Sequence, residues 1–193
     1  MANASTTGFG FRPIKKIAQN YNNAALSEYN VAASSALISH ACLVQLTADG
    51  VVLASGNTTT NNLGTLNGVF YTDATSNKPT FSNFSPAANT ATDIVAFIND
   101  DPMQMFEVMS ADTAFNQNEV GHLADQVLEV GTTPLFVSKS KISATTATTQ
   151  AQLFIMGVSR DPDHSDTTAE GFALRVQIRE HILIGNDTQR AGI

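Results

Sequence analysis

Between Phe172 and Leu183, the apolar residues Leu174, Val176 and Ile178 alternate with Arg175, Gln177 and Arg179. A period of two sends alternate side chains to opposite sides of an extended chain, so this stretch predicts a strand with one apolar and one wet face. Shorter runs of the same kind recur along the chain. Leu43–Leu46 and Val51–Ala54 flank Asp49-Gly50, a dipeptide suited to the positive-φ positions of a hairpin turn. Asn67-Gly68 precedes Val69–Thr72, and a loop carrying Pro79 and Pro86 follows. Ile94–Ile98 and Met103–Met109 are split by Asn99-Asp100-Asp101-Pro102, which has strong turn chemistry. Pro134–Val137 and Gln152–Val158 are two more expected strands. One region reads both ways. Val120, Leu123, Val127 and Leu128 have helical spacing, with Asn118 to cap and Gly131 to stop, yet Gln126–Val130 alternates like a strand. Short strands with frequent turns predict an all-β fold, a β-barrel or β-sandwich, with at most one short helix.

The first 35 residues lack this pattern. A compact apolar group at Phe9, Phe11, Pro13 and Ile14 stands among small polar residues, and Pro13 holds Arg12 extended. Ile17, Tyr21 and Ala24 or Ala25 would make a short helical face, against which Asn20, Asn22 and Asn23 argue. The expected organisation is an extended N-terminal arm over residues 1–35, a β-rich body over 36–184 and a C-terminal tail over 185–193.

Composition supports the β reading. Charged residues make up 14% of the 193, against about 25% in an average soluble protein. Their place is taken by 22 Thr, 16 Asn and 15 Ser, residues suited to strands and to the turns between them. The net charge is −7, with ten Lys and Arg against seventeen Asp and Glu. A nucleic-acid binder ordinarily carries a basic field and stacking aromatics. This chain has no Trp and three Tyr, so no nucleic-acid partner is expected. Arg12, Lys15 and Lys16 stand in a segment free of acids, which puts a basic start before an acidic remainder. The single cysteine, Cys42, excludes an internal disulfide and lies in an apolar stretch that predicts a buried, inert thiol. The start MANASTTGFGFRPIKK has no apolar core of a signal peptide, and no run approaches the ~18 apolar residues of a membrane span.

Catalytic spacings are missing. There is no G-x-S-x-G, H-E-x-x-H or phosphate loop, and His40, His122, His164 and His181 are scattered. Asp161, Asp163 and Ser165 imitate the opening of a Ca²⁺ loop, but Asp166 and Phe172 stand where such a loop needs Gly and Glu. A hydrated loop is expected there. The expectation is a protein with no enzymatic activity, cofactor, metal or small-molecule substrate.

Several blocks, in order, resemble one family. Gly8-Phe9-Gly10-Phe11-Arg12-Pro13-Ile14 is similar to the opening of a group of tailed-bacteriophage virion proteins. Asn67–Asp73 with Lys78–Phe84 resembles their central block. Ala144–Ala147, Gln152–Val158, Arg160–Asp163 and Val176–His181 resemble their C-terminal block. The resemblance implies a capsid decoration, or cement, protein: β-rich, a homotrimer, made in the host cytoplasm and seated on the outside of an icosahedral head. Its partner would be the major capsid protein, clamped by extended arms. An alternative is another virion β protein, in the tail or as a host-glycan-binding adhesin.

On that reading the partner-binding residues are Phe9, Phe11, Arg12, Pro13, Ile14, Lys15 and Lys16. Ordering an arm of about 20 residues costs on the order of 1 kcal/mol per residue, and each buried Phe or Ile returns about 1.5–3 kcal/mol. A single arm is near break-even, and three arms on a trimer would bind by effective concentration. The other disposition is that Phe9, Phe11 and Ile14 fold back onto their own body.

Overall fold

A computed structural model describes residues 3–17, 26–33, 35–55, 61–87, 89–147 and 151–184. The tail over 185–193 and the helical face expected around Tyr21 lie outside them. The described residues form twelve strands in chain order. These are β1 (Arg12–Lys16), β2 (Ser27–Asn30), β3 (Leu43–Thr47), β4 (Gly50–Leu53), β5 (Gly64–Thr72) and β6 (Pro79–Ser82). They continue as β7 (Val95–Asn99), β8 (Gln104–Met109), β9 (Leu123–Val127), β10 (Lys141–Ala147), β11 (Leu153–Val158) and β12 (Ala173–Ile178). The fold is all-β, as expected. Two short 3₁₀ turns, Gln117–Glu119 and Pro162–His164, are its helical content among the described residues.

The strands form two antiparallel sheets packed together as a β-sandwich. The first runs β1-β8-β12-β11-β9-β10 and the second β2-β7-β5-β3-β4, with β6 added beside β5. Each sheet curls toward closure. A parallel bridge between Val31 and Val51 brings the end of β2 to β4, and another between Ser110 and Ile142 brings the end of β8 to β10. Curling lets each sheet surround a core of its own. Phe106, Val108, Leu153, Ile155, Leu174 and Val176 fill the first, which also takes Leu43 of β3 and Ala54, just past β4. Val44, Val51, Leu66, Val69, Ala96 and Ile98 fill the second. The alternation that predicted β12 is observed, with Leu174, Val176 and Ile178 buried and Arg175 and Gln177 facing out. Between the sheets runs a polar seam. Gln126 Nε2 donates to the carbonyls of Ala54 and Ser55 at 3.0 and 2.9 Å, and Gln152 Nε2 to that of Ser55 at 2.9 Å.

Three local expectations change. Pro134–Val137 is a turn rather than a strand, because Phe136 sits at φ 48°, a left-handed conformation that breaks an extended run. Around Val120–Val130 the chain forms a strand rather than a helix, but earlier than the alternation at Gln126–Val130 placed it: Gly121, at φ 92°, follows the 3₁₀ turn and β9 covers Leu123–Val127. The loop with Pro79 contains β6, since proline is tolerated as the first residue of an edge strand. The expected hairpin is present, with Ala48 and Asp49 in the turn and Gly50, at φ 123°, paired to Thr47.

The arm also takes a different form. Residues 3–17 are extended, yet they lie on the body, and β2 is part of the second sheet. For these residues the fold-back disposition is the one observed, so a boundary at residue 35 does not separate arm from body. The reason is local. Phe11 is 0% exposed within the first core, and Gly10, at φ 72°, lets the backbone pass so close that a Cβ would lie 2.6 Å from the Ala41 carbonyl oxygen.

Candidate docking surface

The seven residues singled out in the N-terminal segment are held by the protein itself to different degrees. β1 is the edge strand of the first sheet and pairs with β8, Arg12 standing opposite Glu107. The Arg12 guanidinium lies 2.9 Å from Glu107 and 3.6 Å from Asp161, and stacks over the Phe9 ring at 3.8 Å. Phe9 in turn leans on His164, with ring centroids 5.5 Å apart. Phe11 is interior. Pro13 is exposed, and Ile14 and Lys15 are half-buried. Lys16 pairs with Asp101. Burial works to raise the Asp101 carboxyl, but Lys16 and the Met103 amide outweigh it and hold it below the ordinary range.

Further toward the N-terminus, the sequence that imitates a Ca²⁺ loop has another use. The Asn3 carboxamide donates to the carbonyls of Asp166, Ala169 and Glu170 at 2.9, 3.1 and 2.9 Å, and its oxygen accepts from the Asp166 amide at 3.0 Å. The carbonyls of this loop thus converge on an amide of the same chain. The Thr168 hydroxyl and amide draw the Asp166 carboxyl down to about 2.

An unpartnered apolar surface lies elsewhere, on the outward face of the second sheet. β5 and β6 pair Phe70 with Phe81, and β5 and β7 pair Gly68 with Phe97, so these three rings share one side. Phe81 stacks on Phe97 with centroids 5.4 Å apart. Phe81 nevertheless remains 68% exposed and Phe70 39%. Asn83, just past the end of β6, donates its amide to the Leu135 carbonyl at 2.8 Å and so ties the turn at residues 133–135 to the strand that carries Phe81. Leu135 is 70% exposed. Its neighbour Phe136 stacks on Phe84 at 3.9 Å. The stretches 61–72, 79–92, 94–98 and 130–138 that build this surface contain no charged residue, in a chain of net charge −7. Glu28, opposite Phe97 in β2, is a charge at its rim.

Sequence reasoning passed over these rings. The signal was present in the alternation: Phe70 is out of phase with Val69 and Tyr71, and Phe81 stands between Thr80 and Ser82. Each is the apolar residue of the wrong parity for the core.

The recesses do not coincide with the rings. One of about 200 Å³ lies between Phe11, Pro13, Leu26, His40 and Asn99. Another of about 300 Å³ runs between Thr7–Phe9 and Thr132–Lys139 and reaches Leu135. The histidines stay apart. His40 Nδ1 meets the Asn67 carbonyl at 2.9 Å, His164 Nδ1 meets that of Gly171 at 2.8 Å, and His181 is buried, which pushes its imidazole down. Among the described residues no three His, Cys, Asp or Glu side chains gather as a metal set. Cys42 is buried, and burial raises its thiol above the usual range. No protein-family model matches the chain, no curated protein matches it, and no solved structure matches it.

Proposed function

We propose that this chain is a structural protein of a phage virion that binds the outside of an icosahedral head and cements contacts between major capsid proteins, as a homotrimer. The resemblance rests on the sequence blocks quoted above. The observation that carries the reading is the surface chemistry of the second sheet: aromatic rings on rigid strands, exposed, uncharged and outside any described recess. An exposed apolar patch of this kind is often functional, and contact with another macromolecule is one such use. Two resembling blocks, Asn67–Asp73 and Lys78–Phe84, supply Phe70 and Phe81. Low charge density fits a body surrounded by protein neighbours, since interface cores are depleted of charge. The adhesin alternative expects aromatics lining a groove with polar groups to bind sugar hydroxyls. Phenylalanine offers no such group.

The test mixes purified protein with undecorated capsids, pellets them and counts bound copies. The expected outcome is saturation at a number matching the icosahedral lattice, in multiples of three. No binding, together with signal on a glycan array, would overturn the reading in favour of the adhesin.

A further inference from the structure

We infer that the docking site is the face formed by Phe70, Phe81 and Phe97 with Leu135, and that its occupant is an uncharged, apolar surface of a neighbouring protein, the major capsid protein on the reading above. This inference rests on that reading and moves the contact away from the N-terminal segment, whose Arg12 and Lys16 are paired within the chain.

Three features argue for it. The face is built to stay exposed. Phe136 adopts φ 48°, a conformation that costs an aromatic residue energy, and its stack on Phe84 accompanies a Leu135 turned out to solvent. A backbone held this way presents its apolar tip already ordered, so less conformational freedom is lost on binding. The area selects the kind of partner. The exposed rings and Leu135 amount to on the order of 400 Å², about half of the ~800 Å² each partner contributes to a standard interface. Two copies joined through this face alone fall short of a stable dimer, whereas a lattice that engages several chains of one oligomer at once does not need each patch to suffice. Charge selects its chemistry. With no charged residue in β5, β6 or β7, and Glu28 of β2 the charge that stands opposite Phe97, attraction across the contact is mainly by apolar burial and only weakly sensitive to salt.

The experiment measures capsid binding by the wild type, by Phe81→Ser and Leu135→Ser singly and together, and by Leu183→Ser as an exposed apolar control, at 0.1 M and 1 M NaCl. Far-ultraviolet circular dichroism and thermal melts confirm that each variant folds, as expected for exposed positions. The inference expects wild-type and Leu183→Ser binding to persist in 1 M NaCl, and the double variant to bind at least tenfold more weakly. Wild-type binding that the double variant retains overturns the site and leaves the cement reading standing. Binding that 1 M NaCl abolishes overturns it in favour of the cationic segment. No wild-type binding removes the reading and, with it, the occupant named here. Sedimentation velocity on the protein alone completes the set: an oligomer that dissociates on Phe81→Ser makes the occupant a second copy and overturns the choice.

Discussion

The outward faces of the two sheets differ in what they do with their side chains. On the first sheet, Glu107 stands in register between Arg12 of β1 and Arg175 of β12. Its carboxylate takes the Arg12 ion pair and the Ser159 hydroxyl, and Arg175 Nε donates to the Val158 carbonyl at 3.0 Å. On the second sheet, Phe81 stacks on Phe97, and Phe70, its register partner, and Phe81 itself then meet water. The first face consumes its chemistry internally; the second leaves its chemistry for something else. A charge-bearing segment in a sequence attracts attention as a binding site, yet here Arg12 and Lys16 pair with acids of the same chain. The rings of the second sheet stay exposed instead.

The largest effect that sharpens this contrast is expected inside the first half. Phe11→Ala empties a fully buried position of that core and should lower stability by about 3–5 kcal/mol in urea denaturation. A loss below about 1 kcal/mol would show that the segment contributes little to the core and would restore a free arm. Next comes the charged face. Glu107→Gln weakens a 9%-exposed carboxylate that serves Arg12 and Ser159, with an expected loss of about 1–3 kcal/mol. Little change would mean that the ladder is solvated rather than structural.

A smaller effect belongs to His181, which bridges the sheets beside Asn62. Burial pushes its imidazole below the ordinary value of 6.5, though Asp100 and Asp101 pull the other way. The folded state therefore binds fewer protons at this site than the unfolded state. Its contribution is intact above the ordinary value and is lost as pH falls toward the depressed folded value, below which the slope ends. Glu180, raised by burial, works in the opposite sense on acidification. The difference in melting temperature between wild type and His181→Asn, followed from pH 7.5 to 5, isolates the histidine and should shrink as pH falls. The smallest effect is expected on the aromatic face. Phe81→Ser gives up a cross-strand ring pair worth about 0.2–1 kcal/mol, and its melt should move little. A large loss there would make the face structural and remove the contrast between the two sheets.

Much of the fold was legible because alternation is a local signal. Leu174, Val176 and Ile178 reveal β12 without help from the rest of the chain. The hairpin at Asp49-Gly50 shows itself for the same reason. β2 and β6 were not legible. Ser-Glu-Tyr-Asn and Pro-Thr-Phe-Ser hold too few apolar residues to show a period, and their pairing to β7 and β5 is what makes them strands. The docking face was hidden by composition. Phenylalanine in a strand reads as core, and only register shows that Phe70 and Phe81 point away from it. For the N-terminal segment the sequence left arm and fold-back open, and the difference lies in whether Phe11 finds its own core, a question of distant contacts.

The order in which the strands are joined has a consequence for how the chain comes together during synthesis. Strands β2 to β7 occupy one uninterrupted stretch, Ser27 to Asn99, and complete the second sheet from consecutive residues. The first sheet is divided: β1 must wait for Gln104–Glu107, and Asn3 for the carbonyls of residues 166–170. At ~5–20 residues per second on the ribosome, β1 is unpaired for several seconds after it emerges. The second half is finished while the first is still being made, and the residues translated first are among the last to be locked in place.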